Sequence, residues 1–265
     1  MHLPSPEWTA PPRGPEAPAP PVQIWRLHLS DLNDNPADAL RPLTVSSEHA
    51  RARDYAFDTD RHRHLAGRAL IRLALSRRYG CAPRALSITE GPHGKPRLKL
   101  SPNDATPLHF NVAHTDDVVV AASSETHPVG IDVEPTRREA DTEALSQRVL
   151  TAAERQWWRT RPESHRRAAF LHLWTCKEAF LKATGHGLQR APHTIECTFD
   201  GNTVQTLTDA EGYRPASQQD SAAQWAVRSF SASKGIAGAL VRKHSLSSPL
   251  AWTDAARLVN RCTHS

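Results

Sequence analysis

Residues 22–29 set Val22, Ile24, Trp25, Leu27 and Leu29 among Gln23, Arg26 and His28, close to the two-residue alternation of a half-buried strand, and predict the first strand. The period then changes. Leu65, Ala69, Leu70, Leu73, Ala74 and Leu75 recur at helical spacing within an Arg- and Ala-rich stretch over 47–79, which predicts one or two helices ending near Gly80. Short apolar runs at 86–90, 108–112 and 118–122 read as strands. The turn-forming sequences Gly91-Pro-His-Gly-Lys-Pro96 and Ser101-Pro-Asn-Asp104 separate them.

A second succession begins with Val129-Gly-Ile-Asp-Val-Glu134, a short strand. Thr151-Ala-Ala-Glu154 has capping-box spacing, in which a hydroxyl and a carboxylate each satisfy a backbone N–H at a helix start, and it opens a helix through Trp158. One long helix is predicted over 166–184, then strands at 195–199, 203–208, 223–230 and 236–241, and a short amphipathic segment over 251–261. Strand, helices and strands thus follow one another twice. This predicts an α+β chain of two similar halves, each a small antiparallel-rich sheet packed with helices, although no repeat is visible in the sequence itself. Prolines 4, 6, 11, 12, 15, 18, 20 and 21 preclude packed helix or central strand, so 1–22 reads as a disordered tail. The expected divisions are that tail, an N-terminal half over 23–126, a C-terminal half over 127–245 carrying the chemistry, and an extension over 246–265.

Polar positions inside the long helix carry the first chemical signal. Phe170, Leu171, Trp174, Phe180 and Leu181 are apolar around much of its circumference, so its charges stand in surroundings where a charge needs a partner. Glu178 and Lys182, four apart, share a face. An ordinary surface ion pair at that spacing contributes only about 0.2–0.5 kcal/mol. Gly185 and Gly187 end the helix where a left-handed residue or a close backbone approach is needed.

Asp132 and Glu134 are two apart in a strand and point to one side of it. Their mutual repulsion is relieved either by solvent at a strand end or by a divalent cation, and hard oxygen donors are what magnesium takes. Glu178 would supply a third carboxylate. His114, in Phe110-Asn-Val-Ala-His-Thr115, sits where a strand meets a turn and reads as structural or functional. Lys95 lies in a rigid turn. Arg51, Arg53, Arg61, Arg63 and Arg68 form either a phosphate-binding stretch or a hydrated helix face. His62 and His64, two apart in a helix, point away from each other, which argues against a metal pair.

Composition narrows the classes. The chain has 265 residues and a formal charge of +5, so it can bury a substantial core and attract anionic ligands or an acidic protein. Cys81, Cys176, Cys197 and Cys262 have no Cys-x-x-Cys spacing and read as reduced thiols, with Cys176 as packing. No apolar stretch is long enough to span a membrane and the start lacks a signal-peptide core, so a soluble cytoplasmic protein is expected. Walker loops, dinucleotide-binding glycines, zinc spacings and nucleophile elbows are absent.

Carboxylates for a metal and cations for phosphates remain. Gly130-Ile-Asp-Val-Glu134, followed about forty residues later by Trp174-Thr-Cys-Lys-Glu-Ala-Phe-Leu-Lys-Ala-Thr-Gly-His-Gly187, resembles the paired motifs of the Sfp-type 4′-phosphopantetheinyl transferases. Gly94-Lys-Pro96, Phe110-Asn-Val-Ala-His114 and Arg63-His-Leu-Ala-Gly-Arg-Ala-Leu-Ile-Arg72 add to the resemblance, which covers roughly residues 23–245. It implies a pseudo-dimeric fold of two halves with coenzyme A in the cleft between them. It further implies magnesium on Asp132, Glu134 and Glu178, and Lys182 and His114 on the phosphates. Lys95 and Arg63 would lie near the adenosine and its 3′-phosphate, with Arg51 or Arg53 assisting. Ala113 and Thr115 flank His114 where the family usually has Ser, which removes one hydroxyl contact to the nucleotide.

The implied reaction moves 4′-phosphopantetheine from coenzyme A to a serine of an acyl or peptidyl carrier protein and releases 3′,5′-ADP. Glu178, directly or through a metal-bound water, would act as base and Lys182 would stabilise the leaving group. A catalytically silent coenzyme A or nucleotide-binding protein on the same fold is the alternative, and a basic nucleic-acid-binding module a third. Retention of the carboxylates and lysines argues against the silent form. Only Tyr55 and Phe57 interleave with the basic stretch, which argues against nucleic acid. The expected partners are coenzyme A and a carrier domain, with neither nucleic acid nor membrane, and chain length favours a monomer.

Overall fold

The computed structural model describes residues 3–10, 22–90, 96–99, 108–137, 139–185, 187, 190–201, 203–209, 225–243 and 250–262. In chain order the strands and helices are β1 (Val22–His28), α1 (Pro36–Ala39), α2 (Ser46–Ala52), α3 (Asp58–Tyr79), β2 (Ile88–Glu90), β3 (Pro96–Leu98), β4 (His109–Thr115) and β5 (Val118–Ser124). They continue with β6 (Val129–Pro135), α4 (Thr142–Val149), α5 (Ala152–Arg159), α6 (Glu163–Thr184), β7 (Ile195–Asp200), β8 (Thr203–Asp209), β9 (Trp225–Ser233), β10 (Ile236–Lys243), β11 (Leu250–Asp254) and α7 (Ala256–Cys262). The chain divides into two compact units, one of Glu7–Thr126 with Ser248–Ser265 and one of Met1–Pro6 with His127–Ser247. Among the described residues no helix is long and apolar enough to cross a membrane.

In the first unit the strand order is β11-β1-β5-β4, with β2 and β3 as a separate hairpin. The alternation read in 22–29 is real: β1 lies antiparallel to β5, and Trp25 and Leu27 join Val119 and Ala121 in a core with Leu65, Ala69, Leu70 and Leu73 of α3. Gly80, at φ 63°, ends α3.

In the second unit all neighbouring strands of the sheet β6-β10-β9-β8-β7 are antiparallel. Helix α6 covers it, burying Phe170, Leu173, Cys176 and Phe180 with Ile195, Leu207, Ala239 and Val241. The capping box forms as the spacing predicts: Thr151 N–H donates to Glu154 (2.8 Å) and Glu154 N–H to the Thr151 hydroxyl (3.2 Å).

The two units repeat a design that the sequence conceals. Helices α3 and α6 each run 22 residues to a glycine with positive φ, and the fifteenth residue of each is a buried cation, Arg72 or Lys177. Each cation meets a glutamate in the first turn of the preceding short helix. Arg72 Nε is 3.0 Å from Glu48 Oε2, and its Nη1 donates to the carbonyls of Pro83 (2.8 Å) and Leu86 (2.9 Å). Lys177 Nζ is 2.5 Å from Glu154 Oε2 and donates to the carbonyls of Val149 (2.8 Å) and Pro192 (3.1 Å). Each glutamate also accepts the backbone N–H three residues before it. A charge removed from water is costly unless its protons and lone pairs are answered, and here both pairs are answered in the same way.

Two expectations need correction. The segment over 251–261, read as one short amphipathic stretch, splits into strand β11 and helix α7, because β1 has a second edge whose backbone groups need partners. Strand β11 fills that edge in parallel, Val22 opposite Leu250 and Arg26 opposite Asp254, so the supposed extension belongs to the first unit. The leading segment, read as disordered throughout, is held at residues 3–10. Thr9 N–H donates to the Trp252 carbonyl (3.0 Å), and Trp8 stacks edge-on against Trp252 beneath the Arg26 guanidinium. Residues 11–21 lie outside the described residues. Helices α1 and α4, four and eight residues long, are too short for the periodicity to have shown.

Candidate functional site

Strand β6 turns Gly130, Asp132 and Glu134 to one face and packs that face on α6. A Cβ built on Gly130 would lie 2.0 Å from the Ala179 carbonyl oxygen and 2.5 Å from the Ala183 nitrogen, so glycine is what lets the helix backbone lie against the strand. On α6, Trp174, Glu178 and Lys182 recur at i, i+4 and i+8 and form one stripe along the helix.

Stripe and strand meet through two hydrogen bonds. Lys182 Nζ lies 2.6 Å from Asp132 Oδ1, and the Trp174 indole N–H donates to Glu134 Oε1 at 3.0 Å. The structure therefore brings Asp132, Glu134, Glu178 and Lys182 together as the motifs suggest. The simple pairing of Glu178 with Lys182 is replaced by a pairing of Lys182 with the strand.

Among the described residues no hydrogen-bond partner reaches the buried Glu178 Oε1, and Asp132 Oδ2 is in the same condition. Burial, then the Asp132 charge and more weakly that of Glu134, push the Glu178 carboxyl up to about 7, against the pull of Lys182. Asp132, 6% exposed, is also raised, because burial outweighs the ammonium beside it. A carboxyl poised near neutrality beside a cation is equipped to take and return a proton.

The same oxygens test the expectation of a metal. Two buried carboxylate oxygens without hydrogen-bond partners are hard donors of the kind magnesium takes, and in that respect the residues fit. Among the described residues no group of three acidic, His or Cys side chains stands as a ready cage. Glu134 accepts the Trp174 indole N–H through its Oε1.

The other candidates lie in the first unit. Arg63 donates through Nε to the Asp116 carbonyl (2.6 Å) and through Nη1 to Asp60 (3.0 Å); Asp116, at φ 47°, makes the turn between β4 and β5. His114 is exposed near the end of β4. Arg51 pairs with Asp54 at 3.0 Å on the surface. Arg53 lines a cavity of about 290 Å³ with Arg41, Thr44, Ser46, His49 and Arg84. Burial and the Arg41 charge hold the His49 imidazole below its usual value. No motif joins Arg41, His49 and Arg84, which come from separate segments. Lys95 lies outside the described residues.

Two motif residues take other roles. Lys177, next to Glu178, is the buried strut and not part of the site. Cys176 is fully buried, its thiol pushed up to about 12 by burial, so it is packing as expected. Trp174 is the residue that sequence reasoning missed. It reads as apolar packing, and the available signal was its place at i−4 from Glu178 and i−8 from Lys182.

With this geometry in view, comparison with known proteins is specific. A family model described as the 4′-phosphopantetheinyl transferase superfamily matches residues 128–240, and one described as the N-terminal part of 4′-phosphopantetheinyl transferase matches residues 37–126. The 4′-phosphopantetheinyl transferase HetI of Nostoc sp. is 34% identical over 172 residues, which is 64% of this chain and 70% of the relative. The 4′-phosphopantetheinyl transferase psf-1 of Bacillus pumilus is 32% identical over 196 residues, 72% of this chain and 81% of the relative. The 4′-phosphopantetheinyl transferase Sfp of Bacillus subtilis is 29% identical over 168 residues, 63% and 72% of the two chains.

Proposed function

This chain belongs to the 4′-phosphopantetheinyl transferase superfamily, and we propose that it moves 4′-phosphopantetheine from coenzyme A onto a serine of an acyl or peptidyl carrier domain. The observation that carries the reading is the Glu178 carboxyl, raised to about 7 and set beside Lys182 on a stripe facing two strand carboxylates.

A serine hydroxyl is a weak nucleophile until its proton leaves as the new bond forms. Glu178 takes that proton. The serine oxygen bonds to the β-phosphorus of coenzyme A, the bridging P–O bond of the pyrophosphate breaks, and the electron pair leaves with 3′,5′-ADP. Lys182 supplies positive charge where the leaving oxygen becomes anionic, and Asp132 holds that ammonium in place. Asp132, Glu134 and Glu178 are the residues that would hold magnesium, which when bound neutralises pyrophosphate charge. We assign contacts with the nucleotide to Arg63, His114 and Lys95, with Arg51 and Arg53 assisting, on the strength of the motif resemblance. The net charge of +5 favours encounter with an acidic carrier domain, and two halves in one chain make a monomer the working species.

The deciding experiment incubates the purified protein with coenzyme A, magnesium and several apo carrier domains and weighs each carrier. A mass gain of one phosphopantetheinyl group on the serine is the expected result. Coenzyme A binding without any gain would assign a silent binding protein. Tight binding of DNA or RNA at moderate salt, with no gain, would assign a nucleic-acid module.

A further inference from the structure

Helix α3 provides an internal control for α6. The helices share their length, their glycine ends and their glutamate-paired cations, so residues common to both serve the fold. The differences mark what the second unit adds. At the places of Trp174, Glu178 and Lys182, α3 has Ala69, Leu73 and Arg77, and Ala69 and Leu73 are buried in an apolar core. Alanine thus satisfies packing at the first of these places. Trp174 is only partly buried at the margin of its own core, and what it adds is an indole N–H on Glu134 Oε1 at 3.0 Å.

That bond suits the needs of Glu134. Asp132, two residues earlier, points to the same side and repels its carboxylate, and an unrestrained glutamate side chain would turn away toward solvent. An N–H donated to a charged oxygen is among the stronger hydrogen bonds and holds the rotamer. The indole is a donor only, so it restrains the carboxylate without competing with it for a cation.

We propose that Trp174 is a positioning residue, whose indole N–H holds the Glu134 carboxylate in the orientation from which it joins Asp132 and Glu178 in taking a divalent cation. This rests on the metal reading of the proposed function. Partners of this kind, one shell removed from a metal, typically change affinity by about 10–100-fold when removed.

The test uses the full chain with Trp174→Phe, which keeps an aromatic ring and removes the donor, and Trp174→His, which keeps a ring N–H. Binding of Mn²⁺ to the protein alone is followed by the electron paramagnetic resonance of the free ion, without coenzyme or carrier. The magnesium dependence of transfer and the unfolding midpoint are measured in parallel. For Trp174→Phe we expect Mn²⁺ binding about tenfold weaker or more and a matching rise in the half-saturating magnesium concentration. The loss in kcat should be smaller, the unfolding midpoint near wild type, and Trp174→His should recover part of the affinity. Wild-type Mn²⁺ affinity and magnesium dependence in Trp174→Phe would overturn the proposal. So would equal loss of kcat at every magnesium concentration with a lowered unfolding midpoint, the mark of a packing role. Should Trp174→Phe fail to fold, Trp174→His with and without Glu134→Gln decides the matter: additive losses of Mn²⁺ affinity overturn the coupling and non-additive losses support it. A wild type that binds Mn²⁺ but modifies no carrier removes the transferase reading and leaves the Mn²⁺ comparison decisive for Trp174. A wild type that binds no Mn²⁺ overturns the proposal.

Discussion

The Lys182 ammonium lies 2.6 Å from Asp132 Oδ1, so the cation one turn beyond Glu178 is paired with the neighbouring strand and not with the glutamate on its own helix. The pairing holds Lys182 at the site in the absence of substrate, and among the described residues no cation is in direct contact with Glu178. Removing one preorganised charge where charge develops costs on the order of 10²–10³ in kcat. Lys182→Ala is expected to lose about that much with its circular dichroism unchanged, and Lys182→Arg to retain part, since a guanidinium fork does not replace a compact ammonium. Carrier modification within a few-fold of wild type in a folded Lys182→Ala would remove Lys182 from phosphate stabilisation.

The Glu178 carboxyl, raised to about 7, gives a signed pH dependence. Below that value it carries the proton that a base must lack. That value belongs to the metal-free site, and magnesium on the same carboxyl favours its charged form. At limiting magnesium kcat/KM should therefore climb with pH toward 7 and then level off, the rise should move to lower pH as magnesium is added, and Glu178→Gln should show little activity at any pH. Stability runs the other way. The folded state holds the proton more tightly than the unfolded chain, whose value is near 4.5. This contribution to folding is complete below 4.5 and disappears as pH rises toward 7. Glu178→Gln should accordingly melt higher than wild type at pH 8, with the difference closing by pH 4. Equal melting temperatures at pH 8 would count against a raised Glu178.

Much of this arrangement can be read in the chain before any coordinates. Alternation over 22–29 and the apolar stripe of α6 announce their elements, and the spacings of Asp132 with Glu134 and of Glu178 with Lys182 name the four polar residues of the site. Their partners are another matter. Asp132 and Lys182 are 50 residues apart, and Trp174 and Glu134 are 40 apart, so no local period relates them. The repeat is hidden for a related reason. What recurs is a glutamate, a buried cation and a glycine, while one cation is Arg and the other Lys, and the surrounding core residues differ. Strand β11 escapes because its pairing is decided by the open edge of β1 and not by its own five residues.

The buried pair of Lys177 with Glu154 predicts a loss of stability distinct from any loss of chemistry. Lys177→Met leaves the Glu154 carboxylate enclosed without its cation, and breaking a buried pair from one side costs about 3–5 kcal/mol. Adding Glu154→Gln removes the stranded charge and should restore part of that loss. Urea unfolding midpoints of the single and double variants measure both effects. Losses that simply add would show that the two groups do not depend on each other. Arg72→Met, stranding Glu48 in the first unit, should behave in the same way.

Gly130 predicts the most direct link between packing and activity. The atoms that an alanine Cβ would meet, the Ala179 carbonyl oxygen and the Ala183 nitrogen, are backbone of α6 and have no rotamer to yield. Gly130→Ala must push the helix from the strand, an overpacking that costs about 1–3 kcal/mol. Because Ala179 and Ala183 directly follow Glu178 and Lys182, the displaced turn carries both polar groups away from Asp132. Gly185→Ala is the control. Its Cβ meets open space, and its only burden is the left-handed φ of 79°, about 1–2 kcal/mol of strain at the helix end. The two variants should therefore unfold at similar denaturant concentrations but differ in carrier modification, with Gly130→Ala much the slower. If the two folded variants modify carriers at equal rates, the close approach of β6 to α6 is not what holds Glu178 and Lys182 at their working positions.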